Sequence, residues 1–163
     1  MNLNLKSIGL SIFFCVLVNC SILSQRASSK DEIRKFLPNA LHGQIGSAFF
    51  FGNASIYYER LILRETNSGV PGPYFRCGYQ HMMVLGYTGP TLAVEAGHIL
   101  GRWNSHFEMN LGIHLDITGT TELFPVGSSI AYRYQKPSGN FIFRTGLGFP
   151  NAVFFSLGLC FGK

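Results

Sequence analysis

Five histidines and four cysteines are the side chains of this 163-residue chain best suited to metal ligation, nucleophilic attack or proton transfer. The histidines are His42, His81, His98, His106 and His114. His106 and His114 fall on one face of an extended segment, but eight residues of strand separate them by roughly 27 Å, so they cannot share a metal. No Cys/His spacing matches a zinc site. There is no G-x-S-x-G elbow and no glycine-rich loop between a strand and a helix. The stretch Gly46–Gly52, GSAFFFG, reads as glycine-bearing strand. Ser128, Ser129, His98 and His106 do not assemble as nucleophile and base. No catalytic, cofactor-binding or metal-ligating residue is assigned, no cofactor is expected, and the chain is predicted not to be an enzyme.

Charge is the other source of chemistry. Glu59, Arg76, Glu95, Glu108, Arg133 and Arg144 lie on the polar faces of alternating segments. They are three acids and three bases. Buried charges are costly unless paired, so the equal count predicts an ion-pair network inside the protein. Tyr57, Gln80, Asn110, His114 and Gln135 are expected to extend it by hydrogen bonds. A proton relay or catalytic set among the same residues is the alternative.

The elements that position these groups are strands. From residue 41 onward the apolar period is two. In His106–Asp116, positions 106, 108, 110, 112, 114 and 116 are polar or glycine, while Phe107, Met109, Leu111, Ile113 and Leu115 are apolar. Phe141–Phe149 and Val153–Phe161 repeat the split, with Ile142 and Phe154 as apolar exceptions on the otherwise small or charged face. Further strands are expected at 43–51, 54–64, 73–84, 90–100 and 127–136. Turn formers place turns at Gly52–Asn53, Thr66–Gly72, Gly86–Gly89, Gly101–Ser105, Thr118–Pro125, Lys136–Gly139 and Pro150–Asn151. The count is eight, or seven if the chain runs unbroken through Gly52–Asn53. The fold class is all-β: a single small antiparallel up-and-down barrel, eight-stranded and membrane-embedded. Strands of 9–11 residues suit a tilted span, and closure removes the unpaired edges that hydrocarbon would penalise.

Composition agrees with that reading. Charged residues are 13% of the chain, about half the soluble norm, and Phe and Tyr number 15 and 7. The net charge of +5 is not gathered into a patch, which argues against nucleic acid. At the N-terminus, Lys6 precedes an apolar run from Ile8 to Val18 that is too short to span a bilayer. Residues 1–24 therefore read as a secretory signal peptide. Cleavage after Ser24 and lipidation at Cys20 are the two processing schemes. Residues 25–40 read as a linker, with a helical turn or two from Asp31 to Leu37, and 41–163 as the barrel domain. If cleavage falls after Ser24, only Cys77 and Cys160 remain. Strand phasing puts them on opposite faces, which precludes a disulfide. Trp103, Tyr132 and Tyr134 are expected on the outside near the interface.

Three segments carry a resemblance: Tyr57-Tyr58-Glu59-Arg60, the hairpin Ile130–Gly146 with its Tyr132-Arg133-Tyr134-Gln135-Lys136-Pro137 core, and Phe155-Ser156-Leu157-Gly158-Leu159. Together they resemble a group of small outer-membrane β-barrel proteins common in the Bacteroidetes, over residues 41–161. The resemblance implies insertion by the barrel assembly machinery and a place in the cell outer membrane. It carries over no functional residues, because that group has no established activity; Glu59, Arg133 and Arg144 match its recurring charges. The chain departs from the pattern at Cys160 and in ending Phe161-Gly162-Lys163, where the group ends on an aromatic residue.

The expected role is structural or envelope-interacting, with outer-membrane lipids as surroundings and an unidentified envelope protein as possible partner. The alternatives are a membrane-embedded lipid-modifying enzyme and a soluble exported lipocalin-like barrel holding an apolar ligand. If the N-terminus is periplasmic, the outer turns are 52–53, 86–89, 118–125 and 150–151. They are too short for an adhesin or receptor.

Overall fold

The structure is a computed structural model and describes residues 36–48, 51–62, 72–84, 87–102, 104–118 and 126–162. The expected signal peptide at 1–24, the expected linker and helical turn as far as residue 35, and Trp103 lie outside the described residues. Eight strands follow one another: β1 (Asn39–Ala48), β2 (Phe51–Leu61), β3 (Gly72–Val84), β4 (Tyr87–Arg102), β5 (Ser105–Asp116), β6 (Val126–Gln135), β7 (Phe141–Phe149) and β8 (Val153–Phe161). Each pairs antiparallel with the next, and β8 pairs with β1, so the sheet closes. The eight-stranded count is the correct one.

Boundaries differ from the sequence expectation by one to four residues on most strands, and three of the differences are informative. Gly52 and Asn53 are not a turn: they pair with Ser47 and Gly46 inside the β1–β2 ladder, and only residues 49 and 50 lie between the strands. Turn propensity at Gly-Asn loses here to the register that keeps His42, Gln44, Tyr57 and Glu59 on the inner face. β1 starts at Asn39, inside the stretch read as linker. β4 is longer than expected because β3 pairs with it from Ile99 back to Tyr87. Pro90 is tolerated because the β4–β5 ladder begins one residue later, at Thr91. Near its other end, Gly101 takes a φ of 119°, which a side chain would resist, before the connection to Ser105.

The register fixes the barrel's geometry. An inward trail can be followed across every ladder: His106, Arg133, Arg144, Ser156, Gln44, Ser55, Gln80, Thr91 and Asp116. It leaves β5 at His106 and returns to β5 at Asp116, ten residues further on. Eight strands with a shear of ten tilt by roughly 40°, within the usual range for closed barrels.

Alternation decides the two faces. Large apolar side chains are exposed on all eight strands, among them Ile45, Ile56, Val94, Ile113, Ile130, Leu147 and Leu157. The inner face is buried and mostly polar. Cys77 is exposed, Cys160 is buried and both are free, as the phasing predicts. Tyr132 is exposed and its hydroxyl lies 3.0 Å from that of Ser105 on the neighbouring strand.

Candidate functional site

The lumen is where the polar residues meet. All six predicted charges are there, each no more than 5% exposed. Space for them comes from a recurring device: a bulky inward side chain sits directly across the ladder from a glycine. Tyr57 faces Gly78, Tyr74 faces Gly97, Glu95 faces Gly112 and His42 faces Gly158. A Cβ on Gly97 would come 2.5 Å from Tyr74 Cζ, and one on Gly78 would come 2.5 Å from Tyr57 Cδ1.

Glu108 is the hub. It accepts hydrogen bonds from Tyr74 Oη at 2.7 Å, from Arg133 Nη1 at 3.2 Å and from Arg144 Nε at 2.9 Å, and it pairs with Arg144 Nη2 as well. Arg76 Nη1 lies 3.6 Å away. One carboxylate on β5 is thus shared by arginines on β3, β6 and β7. That sharing explains how Arg133 and Arg144, directly opposite each other in the β6–β7 ladder, can coexist; like charges so placed otherwise repel. Glu59 reaches across the lumen from β2 to Arg133 on β6 at 2.7 Å. Glu95 accepts from Arg76 Nε and Nη2 at 2.9 and 2.6 Å and from Tyr57 Oη at 3.3 Å. Each arginine also lies near an aromatic ring: Arg76 is 4.8 Å from the centroid of Tyr57, Arg144 5.6 Å from Phe154 and Arg133 5.9 Å from Tyr74.

Of the expected extensions, four join. Tyr57 bonds Glu95, and His114 Nε2 lies 3.5 Å from Glu95. Asn110 donates to Tyr74 Oη at 3.4 Å, and Gln135 accepts from Arg133 Nε and Nη2 at 3.0 and 2.6 Å. Gln80 is fully buried on the same trail, but its side-chain amide makes no protein hydrogen bond. Three members were not read from the sequence. Tyr74 lies two residues before Arg76 and shares its face, so alternation carried the signal. His42 pairs with Ser156 Oγ at 2.8 Å and lies 3.8 Å from Glu59. Its inward direction follows only once β1 is extended back to Asn39. His106 Nε2 lies 3.3 Å from the Gln135 carbonyl.

The lumen differs at its two ends. Where β1 begins and β8 finishes, it is apolar. Phe36, Leu61, Tyr74 and Ile99 form one buried cluster, and Ala40, Ile142 and Cys160, with Leu37 packed against them, form another. Phe36 also meets the His106 ring edge-on at 5.5 Å. We call this end the floor. The other end, the mouth, is mostly polar, with Gln44, Asn53, Gln80 and Asn110 on its wall and Met82 and Phe154 as buried apolar exceptions. Among the described residues, no group of three or more His, Cys, Asp or Glu is placed to hold a metal ion.

The outer wall has its own concavity, about 510 Å³ over Gly43 and Ala54 and edged by Ile45, Ile56, Phe155 and Leu157. It is larger than the space of about 20 Å³ among Gln44, Arg76 and His114 in the lumen, and it is a largely carbon-lined dip in the apolar surface with His81 on its lining. No protein-family model matches the chain, and no curated protein or solved structure does.

Proposed function

We propose that this chain is an outer-membrane barrel with a structural or envelope-interacting role and no catalytic activity. The observation that carries the reading is the distribution of side chains between the two faces. Every strand exposes large apolar residues outward, from Leu41 on β1 to Leu159 on β8. Among the described side chains, Arg60 is the one charged group at an outward strand position, and it lies at the floor rim opposite Asn39. Strands of about nine residues tilted by roughly 40° give a belt of roughly 20–25 Å, the height of the apolar band in such barrels. In water this belt would be a liability around the whole circumference. In lipid it is the matching surface.

The soluble apolar-ligand reading requires the opposite arrangement, with an oily cavity inside. This lumen is crossed by arginine–glutamate pairs. Bulk flow is disfavoured too, because side chains fill an eight-stranded lumen. The connections at the mouth, 49–50, 85–86, 117–125 and 150–152, are short, which fits a modest interaction role better than that of an adhesin. The resemblance to the Bacteroidetes barrels rests mainly on the β6–β7 hairpin and adds the assembly machinery as a transient partner. Export by a signal peptide at 1–24 completes the reading.

Fractionation of expressing cells tests it. The protein is expected to sediment with the outer membrane and to change gel mobility on boiling. Recovery in the soluble periplasm, with no mobility shift, overturns the reading.

A further inference from the structure

The mouth half of the lumen holds polar atoms that the protein itself does not satisfy. Gln44 and Asn53 are 6% and 4% exposed and Gln80 is 0% exposed. Gln44 Oε1, Ser129 Oγ, Arg76 Nη1 and both side-chain amide atoms of Asn53 and Gln80 have no hydrogen-bond partner within the protein. Leaving such groups unpaired is costly, and native proteins pair them with neighbours or with ordered water.

The geometry supplies room for water at this place. A cavity of about 20 Å³ lies among Gln44, Arg76, Ser129 and His114, with Tyr57 and Phe154 on its wall. One water needs about 10–15 Å³ and two to four polar partners. Gln44 Oε1 and Ser129 Oγ can accept from it, and Arg76 Nη1 can donate to it. The floor also buries unpaired polar atoms, His106 Nδ1 among them, but the side chains that close it, Phe36, Leu61, Ile99, Ala40 and Ile142, present carbon. The trail from Gln44 through Ser55, Gln80 and Thr91 to Asp116 lines the way to the mouth with polar side chains.

We propose that the lumen is a one-ended aqueous cup. Ordered water binds on Gln44, Ser129 and Arg76 and exchanges with solvent through the mouth, and the apolar floor seals the other end. The Arg76–Glu95 pair and His114 then meet solvent from one side only. The inference rests on the closed barrel and does not depend on the membrane reading.

Radiolytic hydroxyl-radical labelling of the full chain in micelles tests it, because radicals formed from bound water oxidise side chains beside that water. The comparison is between like residues. Phe154 lines the cavity and Phe36 lies in the floor, and they are 2% and 3% exposed. Phe154 is expected to be oxidised at least tenfold faster than Phe36, and Gln44→Leu is expected to reduce that rate several-fold. If Gln44→Leu does not fold, the nearly isosteric Ser129→Ala carries the same readout. Equal protection of both phenylalanines overturns the hydrated cup. Equal labelling of both overturns the sealed floor.

Discussion

At the scale of single residues, the balance in this lumen is local. Glu108 serves three guanidinium groups at once, and the three depend on it unequally. Arg133 keeps Glu59 and Gln135, and Arg76 keeps Glu95, but Arg144 has no other ion pair among the described residues. Glu108→Leu therefore strands a buried cation beside a second one directly across the ladder. It is expected to cost about 3–5 kcal/mol, the range for breaking a buried pair from one side. Gln80→Leu, at a buried site whose side chain makes no protein bond, breaks no such pair and is expected to be close to neutral. Urea titration of the refolded barrel, followed by gel mobility, separates the two; equal midpoints would mean that the ion network adds nothing to ordinary lumen packing. The six charges were legible in the sequence because each keeps the parity of its strand. Which acid meets which base was not, since Glu59 bypasses Arg76, its direct neighbour across the β2–β3 ladder, for an arginine across the lumen. Chain tilt and side-chain reach decide that choice, and neither is written in a local pattern.

Strand pairs are the level at which the glycines acquire meaning. Inward glycines leave space for a large neighbour on the adjacent strand, whereas Gly43 faces outward with nothing nearer its absent Cβ than Ser55 O at 3.9 Å. Gly97→Val would drive a branched side chain into the Tyr74 ring and the Met109 carbonyl, which a Cβ alone approaches to 2.6 Å. That variant is expected to lose the heat-modifiable folded band, while Gly43→Val keeps it. Folding of both to the same yield would remove the packing role assigned to Gly97. Strand positions were largely readable in advance: β7 and β8 coincide with the expected 141–149 and 153–161. The errors cluster where glycine was taken as punctuation. Gly52, Gly89 and Gly101 all lie within strands, because in a narrow closed sheet glycine also answers a demand for space and twist.

For the whole molecule, closure and shear depend on how β8 meets β1, a pairing that no local window of sequence contains. What alternation did foretell is the polarity of the two faces, and that polarity gives the most discriminating test of where the barrel lives. Leu157 stands midway along β8, 58% exposed, and is flanked by Phe155 and Leu159 on the same outward face. In water, Leu157→Arg would replace an exposed apolar side chain with a soluble one and leave stability within about 0.5 kcal/mol. In a bilayer the same change puts a cation near the midplane, at a cost of about 2–4 kcal/mol, whereas an arginine at the rim costs about 0–1 kcal/mol. Thr88, exposed near the start of β4 beside the mouth, provides the rim comparison. Folding into lipid vesicles across a urea series is expected to show Leu157→Arg strongly destabilised and Thr88→Arg close to the parent. Equal stability of both variants would mean that the apolar belt does not face hydrocarbon. Arg60, the outward charge among the described strand side chains, lies at the end of the β1–β2 ladder beside the floor, next to Leu61 and opposite Asn39, which is the rim position where a bilayer would tolerate it.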